Sequence, residues 1–230
     1  MKEPTSIREM AQRYQRLYTA AIYDVLDSMG YPNQCLDLGI RPLLPHMKIA
    51  GVSFTVVGYR DPRPQEEYEP EKTRGFAIFD HITPGSVVVI NAEKDDQCGH
   101  WGELMSTAAQ ARGAVGVVID GGIRDWGHLA RMENWSVFAR YTSPIESGKR
   151  WKVHDFGVPI VMSGTLTRQV RVSPGDWIVG DGDGVIVIPK ELATEVLLKA
   201  ESMKEVEDKV RAEIRAGRRV KDVFDEYGQL

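Results

Sequence analysis

Glu103, Arg124 and Asp125 are the residues of this chain whose types best suit chemistry on a small keto acid with a hard divalent metal. An arginine guanidinium binds a carboxylate through two parallel hydrogen bonds. Carboxylate oxygens are ligands that Mg²⁺ and Mn²⁺ prefer, and such ions keep several waters. We therefore predict that Arg124 clamps a carboxylate and that Asp125 is a metal ligand. Glu103 would hold metal-bound waters or relay a proton.

Each of these residues also has a purely structural interpretation. Arg124 could form an ion pair with Asp120 or with Asp125. Asp125 could cap the N-terminus of a helix, which aspartate does well, and this role is compatible with metal binding. Glu103 could cap or salt-bridge the helix on which it lies.

The segments around these residues predict a parallel strand–helix–strand unit. Residues 86–90 (SVVVI) and 115–119 (VGVVI) are short β-branched runs typical of buried strands. Residues 102–112 favour a helix between them, and Gly113 fits the position just past its end. Such a crossover between two parallel strands is right-handed.

Two loops of this unit should meet at one edge of the sheet. Residues 91–101 are polar and irregular, and residues 120–122 (DGG) predict a turn. Both loops open at the carboxyl ends of neighbouring strands, where open α/β sheets bind ligands. Glu103 and the Arg124–Asp125 pair can therefore converge although they are distant in sequence.

The start of the predicted helix, at Gly102, Leu104 and Met105, is a possible anion site. Backbone N–H groups in the first turn of a helix have no intrahelical acceptor and favour a negative charge. As an alternative role, the side chains of Leu104 and Met105 would simply belong to the core.

Periodicity predicts the remaining elements. Ser6 and Glu9 have the spacing of a capping box at the start of an N-terminal helix. Further helices are expected at 19–30, 126–133 and 191–216, the last one amphipathic and ending at Gly217, with helical turns possible in the tail from 220. Short strands are expected at 52–57, 137–139, 159–162, 169–172, 177–179 and 185–188. Residues 31–50 should be irregular, and residues 60–73 (RDPRPQEEYEPEKT) should form an exposed insertion.

Composition is that of an ordinary globular protein. The 230 residues are 42% hydrophobic and 27% charged, and a net charge of −4 gives no reason to expect a nucleic acid as a partner. No apolar run approaches the roughly 18 residues that span a membrane. The N-terminus lacks the apolar core of a secretion signal, and Cys35 and Cys98 form neither a disulfide framework nor a zinc pattern. A cytoplasmic location without membrane association is the expectation.

Other motifs are weaker. His100 and Glu103 are spaced for zinc on a helix, but no third ligand of that type is evident. The loop 180–184 (GDGDG) is similar to a calcium loop, yet the acid expected twelve positions along from Asp181 is Leu192, so a tight turn between strands is favoured. The chain has no phosphate-binding P-loop and no dinucleotide fingerprint.

Several segments carry a resemblance to a known family. They are AIYDVLDSMG (21–30), GIRPLLPHMKIAG (39–51), PGSVVVIN (84–91), WGELMSTAAQARGAVGVVIDGGIRD (101–125) and PGDWIVGDGDGVIVIP (174–189). Through them the chain resembles the RraA-like family, which includes 4-hydroxy-4-methyl-2-oxoglutarate aldolases and oxaloacetate decarboxylases. The most specific feature is an acidic residue that is followed, after twenty further residues, by an Arg-Asp pair. In this chain these residues are Glu103, Arg124 and Asp125. Characterised aldolases often have aspartate as the first acid. Residues 60–73 and 141–154 look individual to this chain and could alter substrate choice.

The resemblance implies an α/β/β/α sandwich of the swivelling-domain type, formed by one domain over residues 1–230. N-terminal helices would occupy 1–30 and a C-terminal helical extension 191–230. It also implies a homo-oligomer, a trimer or hexamer, with sites near subunit boundaries. The substrate would contact Gly102, Glu103, Leu104, Met105 and Arg124, with catalysis by Glu103, Arg124 and Asp125 and with Mg²⁺, or alternatively Mn²⁺, on Asp125.

The activity so implied is a divalent-metal-dependent lyase of class II type. It would cleave a 4-hydroxy-2-oxo acid to pyruvate and a second carbonyl compound through a metal-stabilised pyruvate enolate, with oxaloacetate decarboxylation as a side activity. One alternative is a non-catalytic regulator that binds an RNA-degrading enzyme, and another is a sugar-acid lyase or isomerase on the same scaffold. An intact Arg124–Asp125 pair with Glu103 upstream favours the enzyme, because a pure binding protein needs no metal-binding acid there.

Overall fold

The computed structural model describes residues 2–60 and 69–228, with the backbone alone for residues 69–74. Its helices are α1 (Ile7–Tyr14), α2 (Thr19–Ser28), α3 (Glu69–His81), α4 (Glu103–Ala111), α5 (Trp126–Leu129), α6 (Ala193–Arg215) and α7 (Val220–Tyr227). Its strands are β1 (Arg41–Pro42), β2 (Ile49–Arg60), β3 (Ser86–Asn91), β4 (Gly99–Trp101), β5 (Gly116–Ile119), β6 (Gly122–Ile123), β7 (Ser136–Ala139), β8 (Tyr141–Thr142), β9 (Trp151–Phe156), β10 (Ile160–Ser163), β11 (Gln169–Val172), β12 (Trp177–Gly180) and β13 (Val185–Ile188).

The predicted crossover unit is confirmed. Strands β3 and β5 pair in parallel from Val87↔Gly116 to Ile90↔Ile119, and α4 lies between them in sequence. They belong to the largest sheet of the described residues, with the strand order β1-β7-β5-β3-β2-β12-β13 and β9 paired to β2. The carboxyl ends of β3 and β5 therefore lie side by side, as the position of the site requires.

The two faces of β3 separate the layers of the fold. Val88 and Ile90 pack in the cluster that contains α3, α4 and α5 side chains, whereas Val87 and Val89 pack against the β10–β11 hairpin. Because successive strand residues point to opposite faces, a run of apolar residues is buried on both sides. The result is the expected α/β/β/α sandwich with a mixed sheet.

The other helical layer consists of α1, α2 and α6. Tyr14 packs against Trp177 with ring centroids 5.5 Å apart in a tilted arrangement, and its hydroxyl donates to the carbonyl oxygen of Ala193 at 2.6 Å. Val196 and Ala200 of α6 are buried within the same layer. The apolar side chains in the first half of α6 are thus packed within the core of this chain. Across residues 2–60 and 69–228, no helix combines the length and the apolar character needed to cross a bilayer.

Several sequence-based expectations need correction. The loop 91–101 contains β4, and the turn 120–122 leads directly into β6, since these strands form a small parallel sheet with β8. Strand β9 lies partly in the segment 141–154 and was not predicted. Of the expected insertion 60–73, Arg60 ends β2 and α3 begins at Glu69, while residues 61–68 lie outside the described part of the chain.

Candidate functional site

The small β4–β6 pair brings the predicted residues together. Gly99 pairs with Gly122, and Trp101 pairs with Ile123, both in parallel. The backbone N–H of Arg124 then donates to the carbonyl oxygen of Trp101 at 2.9 Å. Both strands end at the same point, so Gly102 and Glu103 at the start of α4 lie beside Arg124 and Asp125.

Asp125 has an unusual backbone and a well-defined partner. Its φ of 62° and ψ of 36° place it in the left-handed region, which non-glycine residues seldom occupy. It is the N-cap residue of α5, but its side chain makes no capping hydrogen bond to that helix. Instead, Oδ2 accepts from the backbone N–H of Glu103 at 3.2 Å. The carboxylate therefore caps α4 and not α5, the helix that Asp125 directly precedes.

Gly102 leaves the room that this carboxylate needs. A Cβ atom at Gly102 would lie 2.5 Å from Oδ2 of Asp125 and 3.0 Å from Cγ of Arg124. The first distance is shorter than a real Cβ contact and the second is tighter than most, so the side chains of Asp125 and Arg124 would have to move. A residue larger than glycine would therefore displace the Asp125 carboxylate, and no positive φ is involved.

Arg124 is available to a ligand. Its Nε lies 3.4 Å from Oδ1 of Asp125, a long contact between two side chains that are 37% and 35% exposed. Exposed pairs of this kind contribute about 0–1 kcal/mol. No other acceptor in the described residues contacts its guanidinium, so its two Nη groups can bind an anion. The suggested pair with Asp120 is wrong, because Asp120 pairs with Arg140 and accepts from Ser163.

The first turn of α4 presents polar groups and one exposed apolar side chain. Thr107 donates its hydroxyl to Oε1 of Glu103 at 2.7 Å, which holds that carboxylate on the outer surface of the helix. The side chain of Leu104 is 79% exposed, so the alternative that it belongs to the core is wrong. Met105 is partly buried against the core cluster of α4 and α5. The amides of Leu104 and Met105 are first-turn donors without intrahelical acceptors.

A cleft of about 280 Å³ adjoins the pair. It is lined by Ile123 and Trp126, which flank Arg124 and Asp125 in sequence, and by Arg41, Arg140 and Tyr141. Trp126 is half exposed. Leu104 and Trp126 are thus exposed apolar side chains that directly follow Glu103 and Asp125 in sequence.

A second cluster, Asp95, Cys98 and His100, lies in β4 and the loop before it and was missed by sequence analysis. All three residues are buried. Nε2 of His100 is 2.9 Å from Oδ2 of Asp95, and its Nδ1 accepts from the N–H of Gly122 at 3.0 Å. The short spacing of Asp95, Cys98 and His100 in the sequence could have indicated this cluster. Their side chains meet, however, only because the chain turns back at residues 95–98.

The cluster is not suited to nucleophilic catalysis. Burial raises the pKa of the Cys98 thiol to about 12, and the hydrogen bond to Asp95 raises this pKa further. Burial also lowers the pKa of His100, so the imidazole is neutral near pH 7. A buried, protonated thiol is inert towards a substrate carbonyl.

Comparisons with known proteins agree with this architecture. The model of the RraA-like family, described as Aldolase/RraA, matches residues 19–187. A protein of Halalkalibacterium halodurans, whose name gives 4-hydroxy-4-methyl-2-oxoglutarate aldolase as its expected activity, is 32% identical over 86% of this chain and 85% of its own length. The DlpA protein of Legionella pneumophila is 26% identical over 98% of this chain, which spans 35% of the length of that relative.

Solved structures have the same fold. An uncharacterized protein from Pseudomonas syringae superposes with a TM-score of 0.81 at 28% identity, covering 99% of this chain and 98% of that one. RraAS2 of Streptomyces coelicolor, described as an unusual member of the RNase ES inhibitor RraA family, superposes with a TM-score of 0.76 at 24% identity, covering 92% and 98%. From the family match and this architecture, we conclude that the chain belongs to the RraA-like family.

Proposed function

We propose that this protein is a divalent-metal-dependent lyase that cleaves a 4-hydroxy-2-oxo acid to pyruvate and a second carbonyl compound, and that it also decarboxylates oxaloacetate. The observation that supports this most is the carboxylate of Asp125 at the N-terminus of α4, with the guanidinium of Arg124 beside it. A cation held by the Asp125 carboxylate would bind the keto oxygen and the carboxylate of a 2-oxo acid. The guanidinium of Arg124 and the first-turn amides of α4 would donate hydrogen bonds to the same substrate.

Arg124 and the first turn of α4 would bind the substrate. The Nη groups of Arg124 can take the carboxylate in bidentate fashion. The amides of Leu104 and Met105 provide further donors where the helix dipole favours negative charge. Gly102 would contribute by allowing close approach. Leu104 and Met105 lie on α4, whereas Gly102 and Arg124 directly follow β4 and β6, which pair in parallel.

The single carboxylate of Asp125 would hold a hard divalent cation whose other positions are filled by water and substrate. Among the described residues, no group of three potential His, Cys, Asp or Glu ligands includes Asp125. Mg²⁺ is commonly bound by one or two carboxylates, with waters and substrate oxygens in its other positions. When bound, the ion would supply Lewis-acid stabilisation of the negative charge that develops on the keto oxygen.

Glu103 would move the proton. In cleavage, the substrate 4-hydroxyl gives its proton to a base, the C3–C4 bond breaks, and the electron pair passes to C3, which is then protonated to give pyruvate. Oε1 of Glu103 already accepts from Thr107, which leaves Oε2 to take the proton at the hydroxyl. Decarboxylation of oxaloacetate breaks a bond at the same pyruvyl carbon, so the same groups serve both reactions.

A regulator of an RNA-degrading enzyme is the alternative from another class. The similarity to RraAS2 is 24% in sequence and supports the fold alone. The Arg124–Asp125 pair with Glu103 at one helix end favours the enzyme, because a surface that merely binds another protein needs no metal-binding acid there. The enzyme is therefore the better-supported proposal.

We also propose a homo-oligomer, a trimer or a dimer of trimers. The exposed Leu104 and Trp126 beside the site provide apolar area for a neighbouring subunit. The stripe on α6 gives less support, because Val196, Ala200 and Val210 are buried within the chain. Sedimentation should show a species of about three or six chains, and a stable monomer at micromolar concentration would refute this proposal.

The activity is tested by measuring pyruvate release from a panel of 4-hydroxy-2-oxo acids and from oxaloacetate. Each substrate is assayed with Mg²⁺, with Mn²⁺ and after treatment with a chelator. We expect turnover of at least one 4-hydroxy-2-oxo acid and of oxaloacetate, both dependent on the metal. Absence of pyruvate from every substrate with either metal would contradict the proposal.

A further inference from the structure

The Asp95–Cys98–His100 cluster places three different donor atoms close together in the interior. Sγ of Cys98 is 3.4 Å from Oδ2 of Asp95 and 3.7 Å from Nε2 of His100, and Nε2 is 2.9 Å from Oδ2. Each residue of this triad is buried. The proposed lyase mechanism uses none of them.

These distances are close to those between ligands of a tetrahedral zinc ion. With a Zn–S bond of ~2.3 Å and Zn–N or Zn–O bonds of ~2.0–2.1 Å, tetrahedral geometry puts sulfur ~3.5 Å from each lighter donor and those donors ~3.3 Å apart. The three observed distances between donor atoms differ from these values by a few tenths of an ångström. Thus small side-chain rotations would bring all three donors to coordination distance.

The surroundings of His100 suit a metal ligand. Nδ1 lies 3.2 Å from the carbonyl oxygen of Gly122 as well as 3.0 Å from its N–H. In the structure Nδ1 accepts from that N–H, so the proton lies on Nε2 and points to Oδ2 of Asp95. Metal binding would move the proton to Nδ1, which would then donate to the carbonyl oxygen of Gly122 in place of accepting from its N–H, and the lone pair of Nε2 would face Sγ and Oδ2. Histidine ligands usually donate their second N–H to a carbonyl or carboxylate in this way.

Charges around the triad also balance with a divalent ion. Arg60 pairs with Asp95 and lies 3.0 Å from Asp96. On metal binding, Cys98 would lose its proton to solvent and become a thiolate. Asp95 and the thiolate would then carry two negative charges next to the divalent cation.

We propose that Asp95, Cys98 and His100 form a second metal site, for a borderline-soft divalent cation of the Zn²⁺ type. The mixed S, N and O donor set selects such an ion over Mg²⁺, which prefers oxygen ligands alone. A water would complete the coordination. The ion would tie the loop before β4 to β4 itself, whose next residues are Trp101, Gly102 and Glu103. It would thus stabilise the platform on which the proposed lyase site lies, without taking part in its chemistry.

Cobalt is the probe for this site, because a cysteine thiolate bound to Co²⁺ gives a charge-transfer absorption in the near ultraviolet. Chelator-treated protein is titrated with Co²⁺ alone. We expect this absorption to saturate at one Co²⁺ per chain and to disappear when Zn²⁺ is added. If the wild-type protein does not develop this absorption on titration with Co²⁺, the proposal is overturned.

Three variants locate the ion. Cys98→Ser should lose the absorption, whereas the matched control Cys35→Ser should keep it, because Cys35 is outside the triad. Asp125→Asn should also keep it, which separates this site from the metal of the proposed lyase. Retention of the absorption in Cys98→Ser, or its loss in Cys35→Ser or Asp125→Asn, would contradict the assignment.

Thermal unfolding supplies a second measurement in case Cys98→Ser does not fold. Zn²⁺ at a hundredfold excess over its Kd should raise the Tm of wild-type protein and of Cys35→Ser by roughly 5–10 °C. A Tm of the wild-type protein that does not respond to Zn²⁺ would overturn the proposal on its own.

Discussion

The carboxylate of Asp125 accepts a hydrogen bond from the backbone N–H of Glu103 at 3.2 Å, across 22 residues of sequence. This contact joins the end of β6 to the first turn of α4. A negative charge at a helix N-terminus is stabilised by the unpaired N–H groups and the helix dipole. The same contact fixes the carboxylate where the proposed metal and the Arg124 guanidinium can act on one substrate.

Gly102→Ala should disable the site while leaving most of the fold intact. The new Cβ would lie 2.5 Å from Oδ2 of Asp125 and would displace the carboxylate. A displacement of about 1 Å can cost roughly 100-fold in rate, and we expect a fall in kcat/KM of that size. Gly182→Ala is the matched control, since its Cβ would meet nothing closer than 3.7 Å. Equal kcat/KM for the two variants would show that the site does not depend on the absence of a side chain at Gly102.

Arg124→Ala should lower aldol cleavage and oxaloacetate decarboxylation by similar factors. The substitution removes a charge-assisted contact worth roughly 1.5–3 kcal/mol, or about 10- to 150-fold in kcat/KM if the contact is equally strong in the transition state. Arg171→Ala, an exposed position on β11, serves as the control. If Arg124→Ala destroyed one activity and spared the other, the two reactions would not share one site.

Asp181→Ala should destabilise the protein without affecting the site chemistry. The GDGDG loop has a structural role, because the buried carboxylate of Asp181 accepts from the backbone N–H of Thr19 at 2.9 Å and from its hydroxyl at 2.7 Å. Loss of this cap leaves both buried donors without a partner and should cost about 1–3 kcal/mol of unfolding free energy. The measurement is denaturant unfolding, with the exposed Asp183→Ala as control. Equal stability of the two variants would contradict this role.

Stability should depend on Asp37 in a pH-sensitive way. Hydrogen bonding to Arg140 is the main reason that the pKa of Asp37 is lowered to about 2 from its ordinary 3.8. A lowered carboxyl pKa contributes stability above about pH 4, and this contribution is lost as the pH falls towards 2. It should amount to about 2 kcal/mol at pH 6 and to about half of that at pH 3.

The comparison that tests this is the unfolding free energy of wild type against Asp37→Asn at both pH values. We expect the difference between the two proteins to shrink as the pH is lowered. A difference that stayed constant or grew between pH 6 and pH 3 would refute the ion-pair explanation.

The sequence was sufficient to predict that Glu103 and Arg124–Asp125 meet, because parallel strands joined by a helix must end at the same edge. It did not predict β4 and β6, since segments of two or three residues have no measurable periodicity. The exposure of Leu104 was also missed, because a first-turn residue can precede the buried face of its helix. The Asp95–Cys98–His100 triad depends on a loop conformation that no local propensity encodes.

Asp125→Asn tests the central claim most directly. Asparagine tolerates the left-handed backbone and keeps an oxygen that can accept from the N–H of Glu103, but it removes the charge that would hold the cation. Pyruvate release is measured for wild type and variant, each with Mg²⁺ and after chelation, and circular dichroism checks the fold. We predict that the wild type is active with Mg²⁺ and inactive after chelation. The folded variant should lose at least about 100-fold of this activity. Wild-type turnover by Asp125→Asn, or undiminished turnover by the chelated wild type, would contradict the account.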